Sequence, residues 1–266
     1  MNLKQSHCLA TVACFAATST LLLGGPSDWA PSLESKSFVV EKLSNGWRLM
    51  SPGKPHSITR SDTARHSGGH SLRFELRGGE AWNEHVEPSF RSEISTDEYV
   101  AMDSVQWYGF SLYIPKDFPL EDNRCVIGQW HDKAKSQIGE PDKSPPVAQR
   151  FKNGRFYVTV MHSAERIVFD PDQVPKEIVF DTTKLPLGEW NDLVYQIKWS
   201  YHKDGFVNAW LNGQRIIRYR GPVGYNDDIG PTFNFGLYRD STDKTYVVYF
   251  DNYHRGRSFA EVDPSR

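Results

Sequence analysis

From Phe38 onward, apolar residues alternate with polar ones in short runs, and clusters of Gly, Pro, Asn and Asp separate the runs. A period of two marks a strand with one buried face, and no stretch sustains the 3.6-residue period of an amphipathic helix. Strands are predicted over 71–76, 90–95, 106–114, 125–131, 156–162, 192–200, 205–211, 214–219, 232–238 and 245–253. Short strands at this spacing predict an all-β protein, a two-sheet antiparallel sandwich or jelly roll with a concave binding face. The runs 206–211 and 214–219 flank Asn212-Gly213, a pair suited to the positive φ angles of a type I′ turn, so a hairpin is predicted there. Residues 133–146, rich in Lys, Asp, Ser and Pro, read as an exposed loop bordering a cleft.

The N-terminus departs from this pattern. Lys4 leads into an apolar and small-residue stretch from Cys8 to Gly25, the layout of a secretory leader. Thr18, Ser19 and Thr20 interrupt it and polar residues follow Gly25, which favours a removed leader over a stable membrane span. The expectation is a leader over 1–30, with an indistinct cleavage site because Ser27-Asp28-Trp29-Ala30 lacks a clean small-x-small end, then one β domain over 31–266, secreted or periplasmic. Of the 3 cysteines, Cys8 and Cys14 would leave with the leader. Cys125, in an apolar run, reads as a buried strand residue without a disulfide partner, so the fold must rest on its core and a monomer is expected.

Composition narrows the partner. The formal charge is −2, from 31 Lys and Arg against 33 Asp and Glu, which argues against nucleic acid and requires any acidic partner to be held by locally gathered cations. Aromatic residues make up 13% of the chain, with 8 Trp and 12 Tyr, and amphipathic rings of this kind serve as platforms for sugars.

Alternation then assigns faces to the polar residues. In 90–95, Phe90 and Ile94 point one way and Arg91, Glu93 and Ser95 the other. In 126–131, Gln129 and His131 share a face, and in 233–238 the polar face is Asn234, Gly236 and Tyr238. If these strands are neighbours, the pairs form one patch able to hold a carboxylated sugar and move protons. Taken singly, each residue has a plainer role: Arg91 with Glu93 as a cross-strand ion pair, His131 as a structural histidine, Tyr238 as a half-buried strand tyrosine.

At these residues the sequence resembles the heparin-lyase-like and glucuronan-lyase-like polysaccharide lyases, and more distantly the alginate lyases. The matching segments run in order from FRSEIS through WYGFSLYIP, VIGQWHD, PLGEWNDLVYQIKWS and GFVNAWLNGQRI to FNFGLYRD. The resemblance implies a jelly roll that cleaves an acidic, uronic-acid-containing polysaccharide by β-elimination, with no cofactor in the chemistry. It implies that Gln129 and Arg91 engage the uronate carboxylate and that Tyr238 is the acid, and also the base for one epimer. His131 would be the base where the proton lies on the other side, with His85 as its rival. Glu93, Asn234, Lys198, Lys244 and Tyr246 are further candidates for substrate binding, the last two returning to the cleft from the loop and strand after Tyr238. Arg239 alternates away from the patch. Related lyases carry Lys where this chain has Asn234, which leaves the substrate subclass open. A structural calcium would fit the family habit, with Asp251 among its oxygen ligands.

Two other classes stay open. A retaining glycoside hydrolase needs two carboxylates flanking the bond, and Glu93 and Asp97 share a face, but Ser95 interrupts the acidic run. A non-catalytic carbohydrate-binding domain would account for the aromatic content without requiring Gln129, His131 and Tyr238 on one face.

Overall fold

The computed structural model describes residues 47–266, apart from 84–87 and 97. The expected leader, the start of the β domain at 31, His85 and Asp97 lie outside the described residues. In chain order the strands are β1 (Arg48–Met50), β2 (Ile58–Ser61), β3 (Ser71–Leu76), β4 (Phe90–Ser95), β5 (Val105–Tyr113), β6 (Cys125–His131), β7 (Val147–Lys152) and β8 (Arg155–Ser163). They continue with β9 (Lys176–Thr182), β10 (Trp190–Lys198), β11 (Phe206–Leu211), β12 (Gln214–Arg220), β13 (Gly224–Tyr225), β14 (Thr232–Arg239) and β15 (Tyr246–Gly256). One short helix, α1 (Phe259–Val262), closes the chain.

The strands form two sheets packed face to face. The front sheet runs β1-β4-β14-β6-β7-β8-β13, with β9 also paired to β8, and the back sheet runs β12-β11-β10-β5-β15-β3-β2. All pairings are antiparallel except the two-residue contact of β13 with β8. This is the predicted sandwich, a jelly roll.

The core lies between the sheets and is built from the apolar half of each alternating run. In β14, Phe233, Phe235 and Leu237 point inward and are at most 1% exposed. They meet Trp130 from β6 and Phe110 and Phe250 from the back sheet, with ring centroids between 4.6 and 5.3 Å apart. Cys125 is a free thiol buried in the same core. Burial pushes its pKa up to about 12 despite the nearby guanidinium groups of Arg239 and Arg124, so it is structural, as expected.

Two tight hairpins use the same turn chemistry. Asn212-Gly213 joins β11 to β12 with φ of 49° and 77°, and Asn153-Gly154 joins β7 to β8 with φ of 53° and 69°. After β14 the chain changes sheets and re-enters as β15. Arg239, fully buried, holds this crossing by donating from its guanidinium to the carbonyls of Arg77 (2.8 Å), Asp240 (3.0 Å) and Lys244 (3.3 Å). It therefore faces away from the patch, as alternation predicts.

Candidate active site

The three strands that carry the polar patch are neighbours, in the order β4, β14, β6. Tyr238 lies opposite Arg91 on one side and Val126 on the other, Asn234 lies opposite Ser95 and Gln129, and Thr232 opposite His131. Cross-strand partners share a face, so Arg91, Tyr238, Asn234, Gln129 and His131 stand together on the outer face of the front sheet.

Strict alternation would not achieve this in β6, because Cys125 and Ile127 are core residues and Gln129 would follow them inward. The register slips on both sides of β6, against β14 between Phe235 and Tyr238, where Gly236 and Leu237 oppose Ile127, and against β7 between Val126 and Gly128, and these irregularities turn the end of β6 over. Gly236 is required at the bulge. Its φ is 129°, and a Cβ there would lie 2.3 Å from the Ser92 carbonyl oxygen and 2.7 Å from a ring carbon of Phe74.

Gly236 is also the partner of Glu93 in β4, one step along β14 from the Asn234–Gln129 pair. Glu93 and Gln129 meet across β14, with Gln129 Nε2 donating to Glu93 Oε1 at 2.7 Å. Glu93 is fully buried, and its second oxygen lies 3.7 Å from Arg91 Nη1. Burial raises the Glu93 pKa, against the opposing pull of Arg91 and the Gln129 hydrogen bond. Glu93 thus sits under the patch and fixes Gln129, rather than facing substrate. A hydrolase would need it open to the glycosidic bond.

Arg91 is fastened by a 2.7 Å bond from Nε to Ser89 Oγ and lies between two rings, 4.1 Å from the centroid of Tyr238 and 5.4 Å from that of Trp82. Arg124, just before β6, covers the Tyr238 ring at 4.5 Å. Burial works against the charge of Arg124, but a hydrogen bond to Asp240 and the proximity of the Tyr238 phenol hold it protonated. The tyrosine is therefore bracketed by two guanidiniums. His131 Nδ1 lies 2.8 Å from the Asp132 carbonyl oxygen. A carbonyl only accepts, so Nδ1 is the donor in this contact and Nε2 is the nitrogen that a neutral ring leaves free.

Behind His131, the 132–146 loop is pinned by buried charges. Lys143 Nζ, with no exposed side-chain surface, sits 2.9 Å from Asp132, 3.0 Å from Glu140 and 3.2 Å from Asp227, and Lys135 also pairs with Asp227. Burial pushes the Asp132 carboxyl up, against His131 and Lys143. For Glu140 burial pulls the same way but loses to the backbone N–H groups of Val168 and Lys135 and to Lys143, which bring its pKa down to about 2.

Two adjoining hollows share Arg91, His131 and Asp142 and together form a groove over the patch. One, of about 350 Å³, is walled by Arg48, Trp82, Tyr99 and Asn234. The other, of about 320 Å³, holds Gln129, Tyr238, Arg124, Arg150 and Lys176, with Asp172 at its edge.

Several expected residues lie elsewhere. Lys198 is in β10 of the back sheet, tied to Asp204, so it cannot reach the groove. Lys244 and Tyr246 do not return to the cleft, because the chain has already crossed to the back sheet. Lys244 is exposed beside Asp243, and Tyr246 is buried with its hydroxyl 3.0 Å from Glu121. Asp251 is also a back-sheet residue. Its carboxylate accepts backbone N–H groups from His66 (2.9 Å) and Asn252 (2.8 Å). Among the described residues no three His, Cys, Asp or Glu are gathered to hold a metal ion.

Arg48, Arg124, Arg150 and Lys176 are groove residues that the sequence patterns did not single out. Arg150 and Lys176 stand in β7 and β9, strands that were not predicted. The Asn153-Gly154 pair was the available signal for β7, since it carries the same turn chemistry as Asn212-Gly213.

With this geometry in place, comparison with known proteins adds the following. The family described as polysaccharide lyase matches residues 36–254. No curated protein is similar enough to register as a match. Among solved structures, an endo-β-1,4-glucuronan lyase from the fungus Trichoderma reesei is 20% identical, with a TM-score of 0.68 over 84% of this chain and 96% of that one. An alginate lyase from a Chlorella virus is 13% identical, at 0.51 over 80% and 93%. A β-glucanase catalytic domain from Podospora anserina is 12% identical, also at 0.51, over 79% and 82%. At such identities the likeness shows a shared fold, and one that carries more than one chemistry.

Proposed function

The chain belongs to the polysaccharide lyase family, and from that membership we propose that it cleaves a uronate-containing acidic polysaccharide by β-elimination in the groove of its front sheet. The observation that carries this reading is the gathering of Arg91, Gln129, His131 and Tyr238 on one face of three adjacent strands.

Elimination requires removal of the C5 proton, neutralisation of the carboxylate as negative charge spreads onto it, and protonation of the departing 4-oxygen. Arg91 and Gln129 hold the carboxylate, and Glu93 and Ser89 keep both groups aimed before the charge develops. Tyr238 protonates the leaving oxygen, and for a substrate whose C5 hydrogen faces it, it is also the base. For the opposite epimer, His131 takes the proton at Nε2, with Nδ1–H held by the Asp132 carbonyl. The cations of the groove draw an acidic chain to a protein whose net charge is −2. The leader-like N-terminus supports an exported enzyme. No helix among the described residues is long and apolar enough to cross a membrane.

Glucuronan and alginate head the panel of test substrates because lyases of similar fold act on them, and heparin belongs on it through the sequence resemblance. Incubation with each polymer is expected to yield unsaturated uronate ends, read as ultraviolet absorbance, on at least one. New reducing ends without that absorbance would replace elimination by hydrolysis, and binding without either product would leave a carbohydrate-binding protein.

A further inference from the structure

His131 closes β6, and Asp132 follows it just beyond the strand. Two Asp132 oxygens face the ring at Nδ1, the backbone carbonyl at 2.8 Å and the carboxylate Oδ1 at 3.8 Å. Neither can donate while the carboxylate is ionised, so a neutral ring beside them keeps its proton on Nδ1. The ionised state has a dedicated partner. The Asp132 side chain is almost wholly buried, and its other oxygen lies 2.9 Å from Lys143 Nζ, which has no exposed surface. Burial pushes the Asp132 carboxyl up, while the charges of His131 and Lys143 pull the other way. Glu140 and Asp227 also reach Lys143, and Lys135 pairs with Asp227. Of these three carboxylates, Asp132 alone touches both Lys143 and His131.

We infer that Asp132, fixed by the buried Lys143, is a positioning residue for His131, which keeps the ring proton on Nδ1 and leaves Nε2 free to take a proton from substrate. This rests on the reading of His131 as the base for one uronate epimer. Asparagine is the same size but is not equivalent here. An ammonium has only donors, so the amide oxygen must turn toward Lys143, and the amide NH2 is then left facing Nδ1. A donor at that place favours the lone pair on Nδ1 and the proton on Nε2. A ring in that tautomer presents an N–H to the substrate and cannot remove the C5 proton.

The test compares Asp132→Asn with Glu140→Gln in the whole protein. The two carboxylates stand at nearly the same distance from Lys143, 2.9 and 3.0 Å, so a merely structural role would have both variants behave alike. Long-range proton–nitrogen NMR spectra at about pH 8.5, above the ordinary histidine range, separate a protonated ring nitrogen from a free one. The His131 signals are those that vanish in His131→Gln. The wild type and Glu140→Gln are expected to carry the proton on Nδ1, Asp132→Asn to carry it on Nε2, and Asp132→Glu to return it to Nδ1. Turnover is followed on polymannuronate and polyguluronate, which differ in configuration at C5, and on glucuronan. Asp132→Asn is expected to lower kcat about tenfold or more, with KM little changed, on each polymer where His131→Gln abolishes turnover, and to leave kcat unchanged elsewhere. A wild type with the proton on Nε2 would overturn the inference without any variant. So would an Asp132→Asn protein that keeps the proton on Nδ1, or a Glu140→Gln protein that moves it as well, and each would leave the elimination reading intact. Undiminished turnover of His131→Gln on every polymer would instead remove His131 as the base, and the spectra alone would then decide whether Asp132 sets its tautomer.

Discussion

The hydroxyl of Tyr238 and its ring make separable contributions. The ring lies between Arg91 and Arg124, and Tyr238→Phe keeps that packing while deleting the proton donor. Turnover is expected to fall by roughly 10²- to 10⁴-fold, the range for a lost general acid, with binding of the polymer nearly unchanged. Steady-state kinetics set beside equilibrium binding would show this, and an unaltered kcat would remove Tyr238 from the chemistry. Glu93 gives a prediction about pH. Burial raises its pKa from 4.5, so the folded protein binds that proton more tightly than the unfolded chain does. The resulting stabilisation is present below the unfolded value and is lost as pH rises through the folded one. Glu93→Gln imitates the protonated form, so the Tm difference, variant minus wild type, is expected to grow from acid toward neutral pH. A flat difference would mean that Arg91 and Gln129 fully offset the burial. Arg91 and Tyr238 were legible in the sequence because each sits on the polar side of an alternating run, and Gln129 and His131 because they lie two residues apart and so share a face, although only the irregular pairing of β6 turns that face outward. Arg124 was hidden by its place just outside such a run, and Arg150 by a strand whose other side, Gln149 included, is also buried.

Among the elements, β14 is the central strand of the site and its bulge is the part most sensitive to change. Gly236→Ala forces a Cβ onto the Ser92 carbonyl in a backbone conformation suited to glycine. A loss of about 3 kcal/mol is expected in denaturant unfolding, together with a weakened Gln129–Glu93 contact. Full stability in that variant would show that β14 can straighten without cost. The 132–146 loop depends on a different device. Lys143→Met would leave Asp132, Glu140 and Asp227 gathered around an uncharged side chain, with Lys135 and His131 at the edge of the cluster to offset them. Removing one partner of a buried charge set is expected to cost about 3–5 kcal/mol, measurable by thermal unfolding. Periodicity revealed the polar faces of the front-sheet strands and composition revealed the loop, but neither revealed the bulge or the buried lysine. A bulge changes parity without changing composition, and Lys143 reads from the sequence as one more solvated lysine.

At the scale of the whole molecule, the net charge of −2 conceals a groove with Arg48, Arg91, Arg124, Arg150 and Lys176 along it. Capture of an acidic polymer is expected to weaken steeply with salt while kcat at saturation changes little, since screening acts on approach across open solvent. A KM independent of ionic strength would argue against electrostatic capture. The two-sheet architecture was legible from strand spacing alone, but the assignment of strands to sheets was not. Lys198, Lys244 and Tyr246 were misplaced for that reason, since the crossing after Arg239 depends on a buried guanidinium gathering carbonyls from three segments. Cys125 lies between those sheets, with its pKa pushed up to about 12. In a protein with Cys8 and Cys14 replaced by serine, it would be the sole thiol, and alkylating reagents can reach it only when the sandwich opens. The labelling rate is then a built-in clock for that opening, able to tell whether a bound polymer merely fills the groove or also clamps the two layers together.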